Sequence, residues 1–176
     1  VNSNRLNLAL LLALLLALLL AGCATPPPAP PPEPPPPPAP DPVATLREAA
    51  RAANSAVEVQ PLQDPAVDAL VAQAERRELE GDLDGALEPI DEALTIEPDN
   101  PRLWQLRAEV LLGLGRHVEA EEAAMRSYRR GSQLGQWCMR NWLVLEATRK
   151  ALGDPEYAGA AARRAAECPV PAPARY

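Results

Sequence analysis

Phenylalanine is absent from the 176 residues, histidine occurs once, methionine twice, and aromatic side chains make up only 3% of the chain. A core built on large rings is therefore excluded. The 47% hydrophobic content is carried largely by alanine and leucine, which suits closely packed helices. Basic residues are too few to balance the acidic ones: the net charge is −7, which argues against nucleic acid as a partner. The average hides an asymmetry, because residues 43–100 hold 14 acidic and 4 basic side chains whereas residues 101–176 hold 8 and 12. The folded part is electrically two-ended.

The ingredients of catalysis are also sparse. His117 stands ten positions before Ser127, and at about 1.5 Å per helical residue the two lie about 15 Å apart, beyond the reach of a nucleophile and its base. Asp82 and Asp84 lack the third acidic or amide residue and the correctly spaced glutamate of a calcium loop, so helix capping is the better reading. A zinc site lacks third and fourth ligands, and no glycine-rich phosphate loop occurs. The sequence proposes no enzyme, no metal and no cofactor.

Proline, by contrast, is abundant, and its placement divides the chain. Arg5 precedes an uncharged Leu/Ala run from Leu8 to Ala21, which is short of the ~20 residues of a spanning helix and reads as a cleaved signal. From Thr25 to Pro42 only Ala29, Glu33, Ala39 and Asp41 interrupt the prolines. A chain with fixed φ and no amide donors joins neither helix nor sheet, and polyproline II at ~3.1 Å per residue would carry a domain about 50 Å from its attachment. Val43, Leu46, Ala50, Ala53 and Val57 then recur at helical spacing, which predicts a short helix or linker over 43–60, before Pro61 and Pro65.

Leu20-Ala21-Gly22-Cys23 resembles the lipobox of bacterial lipoproteins. The resemblance implies a signal peptide over residues 1–22, cleavage before Cys23, a diacylglyceryl group on its thiol and a further acyl chain, such as palmitate, on its new amino group. Several chains, at about 0.8 kcal/mol per buried methylene, make a stable anchor. In enteric-type lipoproteins an aspartate after the cysteine retains the protein in the inner membrane. Ala24 stands there, so the resemblance implies the outer membrane, with residues 23–42 as a stalk and the domain in the periplasm.

The rest of the chain repeats itself. A shift of 34 residues pairs Leu70 with Trp104, Ala74 with Ala108, Gly81 with Gly115, Ala86 with Ala120 and Ala93 with Ser127. Small residues sit where two antiparallel helices would approach, and a glycine sits at each turn. Together with Ile90 and the closing Ile96-Glu97-Pro98-Asp99-Asn100-Pro101, this pattern resembles the tetratricopeptide repeat. The second unit keeps Trp104, Ala108, Leu111, Gly115 and Ala120, while Ala124 and Ser132 depart from the family pattern. Asn100 and Pro101 read as a helix N-cap and first-turn proline. Pro89 falls inside the second helix of the first unit, which predicts a late start or a bend there. Leu134, Cys138, Trp142, Leu145 and Leu152, the turn Gly153-Asp154-Pro155 and the Ala-rich stretch 156–167 form a looser third pair that would cap the array. The expected architecture is all-α: a short solenoid of about three antiparallel helix pairs over residues 61–168, with a tail at 169–176.

With Cys23 lipidated, Cys138 and Cys168 remain, and an oxidising compartment favours their pairing. Their midpoint is the turn glycine Gly153, so in an antiparallel hairpin both sulfurs reach the open end together.

The repeat resemblance also implies a binding surface. In that family, positions two, five, nine and twelve of each unit line a concave groove for an extended peptide or a partner helix. Here these are Asp68, Val71, Glu75 and Glu78, then Arg102, Gln105, Glu109 and Leu112; the third unit adds Gln136, Met139, Leu143 and Glu146. The groove is expected to be acidic at its mouth and more apolar later, fitting a protein or peptide with basic residues at one end and an apolar anchor at the other. Three alternatives stay open: charged faces that are merely solvated, a structural envelope or cell-wall role without a peptide groove, and, ranked behind these, an enzyme acting on envelope substrates.

Overall fold

The computed structural model describes residues 3–20, 41–53 and 64–169. Its two compact units are residues 1–38 and 39–176. In the first, α1 (Ser3–Leu20) is the Leu/Ala-rich helix at the start of the sequence. Among the described residues no helix is long and apolar enough to cross a membrane. Cys23, the proline run through Ala39, residues 54–63 with Val57 and Pro61, and residues 170–176 lie outside the described residues.

The second unit contains α2 (Pro42–Ala53), α3 (Pro65–Leu79), α4 (Leu83–Ile96), α5 (Pro101–Gly113), α6 (His117–Arg130), α7 (Gly135–Ala151) and α8 (Pro155–Glu167). Every described element is helical. The chain folds as three antiparallel pairs, α3/α4, α5/α6 and α7/α8, each stacked on the next. It is a short helical solenoid.

Identical turn chemistry produces the three pairs. Gly81, Gly115 and Gly153 take φ of 79°, 72° and 76°, a left-handed conformation that glycine adopts without a Cβ clash. The amide of the following residue then donates back to a carbonyl five positions earlier, Asp82 to Arg77, Arg116 to Leu111 and Asp154 to Arg149, each at 2.9 Å. These are Schellman closures, which satisfy carbonyls that a helix end leaves open. On the starting side, Asp64, Asp82, Asn100 and Asp154 accept from backbone amides of the first turn at 2.8–3.0 Å. Asp82 is thus a helix cap, as is Asn100 ahead of Pro101.

Between the helices the small residues do what the spacing requires. Ala74, Ala86, Ala93, Ala108, Ala120 and Ala124 are all buried, which lets the backbones approach, while Ile90, Leu103, Leu111 and Leu145 fill the larger gaps.

Three local expectations change. Pro89 neither delays nor breaks its helix: α4 begins at Leu83, directly after its Asp82 cap, and runs on to Ile96. The residue four positions before Pro89 is Gly85, and the ring is buried in the core, so packing offsets one missing hydrogen bond. Leu134 and Leu152 lie on helical spacing but flank α7 as its end residues and are 57% and 48% exposed. The short helix expected over 43–60 is α2, which spans Pro42–Ala53; of its described periodic residues Val43, Leu46 and Ala50 are buried and Ala53 is exposed.

The third pair closes the stack. α7 is the longest described helix of the second unit, at 17 residues, and Trp142 packs edge-on against Tyr128 of α6 with ring centroids 5.0 Å apart. α8 turns Ala158, Ala161 and Ala165 inward and leaves Arg163, Arg164 and Glu167 exposed, a polar outer face suited to a terminal helix. Cys138 and Cys168 are joined by a disulfide at the open end of this hairpin, with Cα atoms 5.6 Å apart, and the Gly135 amide donates to the Cys168 carbonyl at 2.7 Å.

Candidate functional site

The groove residues named from the repeat pattern lie on α3, α5 and α7, but they do not line an open channel. The helix α2 packs on α5 and α7. Val43, the first buried residue of α2, lies near Gly113 at the end of α5, and Arg47, one turn on, reaches back to Glu109, so α2 runs antiparallel to α5.

An ionic cluster ties this helix to all three first helices of the repeats. Arg47 donates to Glu78 of α3 at 2.7 Å and 3.2 Å, and its Nε donates to Glu109 of α5 at 2.7 Å. Arg140 of α7 grips the same carboxylate from the other side, Nε to Oε1 at 2.6 Å and Nη2 to Oε2 at 2.5 Å. Gln105, one turn before Glu109, adds a hydrogen bond at 2.8 Å. Arg140 is itself held by stacking over the Trp137 ring, 4.5 Å from its centroid.

Glu109 has no exposed surface. Burial opposes its charge, but Arg140, then Arg47 and the Gln105 hydrogen bond outweigh burial and hold the carboxyl below its ordinary value. Burial likewise opposes the charge on Arg47, and Glu109 and Glu78 outweigh it, so that guanidinium is raised. Two cations and two anions balance within the cluster.

The other expected groove residues divide. Asp68 and Glu75 are exposed on α3, and Glu75 lies 3.9 Å from the half-buried Arg102 of α5. Val71, Gln105 and Leu112 are buried. Gln136, Met139 and Leu143 are half-buried on α7, and Glu146 pairs with Lys150 at 2.5 Å. The acidic mouth is thus partly neutralised from within, because α2 brings Arg47 to Glu78 and Glu109. Arg47 and Arg140 were missed by the groove reading. Arg47 did leave a trace, since it sits on the Val43-Leu46-Ala50 stripe, where an unpaired charge would be buried. Glu109, set between Ala108 and the apolar run Val110-Leu111-Leu112, left the complementary one.

His117 begins α6 and Ser127 is buried near the end of the same helix. Among the described residues no three His, Cys, Asp or Glu side chains are grouped so as to hold a metal ion.

Residues 79–126, from the end of α3 through most of α6, match the family of the tetratricopeptide repeat. The match spans α4, α5 and most of α6. Its repeat domain is similar to a solved structure described as the globular C-terminal domain of P. aeruginosa LpoP, with 26% identity and a TM-score of 0.56 over 60% of this chain and 99% of that one. No curated protein matches the chain. The repeat domain therefore has a counterpart in LpoP.

Proposed function

We propose that the protein is a lipid-anchored periplasmic adaptor whose tetratricopeptide-repeat domain binds a protein partner in envelope assembly or secretion. The observation that carries this reading is the face formed by α3, α5 and α7, where charged side chains from three successive repeats converge on one groove. The likeness to the LpoP domain supports the fold of that reading. The Leu20-Ala21-Gly22-Cys23 motif and the proline run supply the anchor and the stalk, and Ala24 favours the outer membrane. The reading assigns no catalytic role.

The test has two arms. Labelled palmitate should enter the chain in its own cells and be lost in Cys23→Ser. In-cell crosslinking of the full chain should capture one envelope protein, and Asp68→Ala with Glu75→Ala, which spare the buried cluster, should weaken that capture. If palmitate enters the Cys23→Ser chain equally, the anchor assignment fails.

A second reading has its own support. Because α2 already fills the groove, the domain could serve a structural role in the envelope with no peptide partner. Capture that ignores the groove substitutions, or no capture at all, would favour it.

A further inference from the structure

The helix α2 is a short occupant of a groove whose central ion pair, Glu109 with Arg140, is made without it. It has 12 residues, and helices of that length are marginal in water, so α2 depends on the groove for its structure. Only Val43, Leu46 and Ala50 are buried there. The groove depends far less on α2. When Arg47 is subtracted from the cluster, Glu109 keeps both hydrogen bonds from Arg140 and the one from Gln105, and Arg140 keeps its stack on Trp137. Nothing buried is left without a counter-ion, in contrast to the usual penalty for breaking a buried ion pair. The cluster without Arg47 carries one cation, Arg140, against two anions, Glu78 and Glu109. An emptied groove is one positive charge short, and the core places of Val43 and Leu46 stand open beside it.

We propose that α2 is a displaceable resident ligand of the repeat groove, and that the partner is a basic amphipathic helix which takes its place, offering an arginine flanked by small or aliphatic residues four before, one before and three after it. This rests on the adaptor reading and states its chemistry. The ten residues 54–63 between α2 and α3 span at most about 35 Å, so α2 competes in cis at an effective concentration up to the millimolar range. A partner helix must exceed that competition, and the groove is closed to weaker segments.

The experiment uses a fluorescent peptide of residues 41–53 as the probe and the full chain as the receptor. The unaltered chain should bind it weakly, and the chain carrying Leu46→Asp, whose own α2 is loosened, at least tenfold more tightly. A peptide carrying Arg47→Glu should lose at least tenfold in binding to that chain. A single cooperative melt and an intact disulfide establish that the Leu46→Asp chain is folded; should it not be, Arg47→Ala replaces it. In the unaltered chain, saturating peptide should speed amide exchange over residues 42–53. No gain in the folded variants, equal binding of the Arg47→Glu peptide, or exchange indifferent to peptide would each overturn the proposal. So would self-association of the unaltered chain that Leu46→Asp abolishes, because the occupant in trans would then be a second copy. If peptide displaces α2 but no protein is captured in cells, the adaptor reading fails while the displaceable helix stands.

Discussion

The Nε of Arg47 donates to Oε2 of Glu109 at 2.7 Å, across 62 positions of sequence. This bond joins α2 to the middle of the repeat stack. Its two ends are unequal, since Arg47 is partly exposed and has Glu78 as a second partner, while Glu109 is fully buried and has Arg140 as a second cation.

Removing either end should therefore have different consequences. Arg47→Ala leaves Glu109 paired and should cost about 1–2 kcal/mol, felt as faster amide exchange over residues 42–53 with the global melt little changed. Glu109→Ala leaves Arg140 in the interior without its carboxylate and should cost about 3–5 kcal/mol in denaturant unfolding of the whole domain. Equal losses from the two substitutions would contradict this asymmetry.

Acid should act through the same carboxylate. Glu109 has a folded pKa below its unfolded value of about 4.3, so the stabilisation it supplies is fully present above that value and fades as pH falls through the folded pKa. The melting temperature should accordingly drop on acidification below about pH 4. Asp82 and Glu119 are also lowered, by hydrogen bonds from Arg77 and Arg116, but both are solvent-facing and screened. Glu109→Gln should hence flatten the acid limb of the curve, while Glu119→Gln should leave it in place.

The outline of this architecture was legible because it rests on local chemistry repeated at a fixed interval. Gly81, Gly115 and Gly153 announce turns, small residues announce close helix contacts, and the symmetry of Cys138 and Cys168 about Gly153 announces a bridge. The seating of α2 was not legible. Periodicity identifies a face on a helix without saying what that face meets, and the partners of Arg47 stand 31 and 62 positions away. The late start expected from Pro89 failed for a related reason. The cost of an interior proline is local and known, whereas the packing that offsets it comes from the tertiary fold.

Reduction should loosen the carboxy-terminal pair first. The Cys138–Cys168 bridge spans 30 positions, and closing a loop of that size lowers the entropy of the unfolded chain enough to stabilise the fold by ~3–4 kcal/mol in the chain-entropy model. Cys138→Ser with Cys168→Ser should lower stability by about that amount, with amide protection lost over α7 and α8 before α3 and α4. Uniform loss across all three pairs would mean that the stack unfolds as one unit and that the bridge has no local role.

Gly85 offers a sharper test of the capping chemistry. A Cβ built there would lie 2.1 Å from Oδ2 of Asp82, the side chain whose Oδ1 accepts from the Gly85 amide at 2.9 Å. Gly85→Ala must therefore expel the Asp82 carboxylate, break the cap and disturb the 2.6 Å pair with Arg77, at about 1–2 kcal/mol. Asp82→Ala alone should cost about 1 kcal/mol by losing the same cap. Once Asp82 is gone the obstacle is gone too, and alanine is the better helix former by up to about 1 kcal/mol, so Gly85→Ala in the Asp82→Ala background should stabilise α4. The sign of the glycine substitution thus reverses with its neighbour. Additive losses in a double-mutant cycle measured by denaturant unfolding would mean that Gly85 is required by its backbone alone and that the Asp82 contact is incidental.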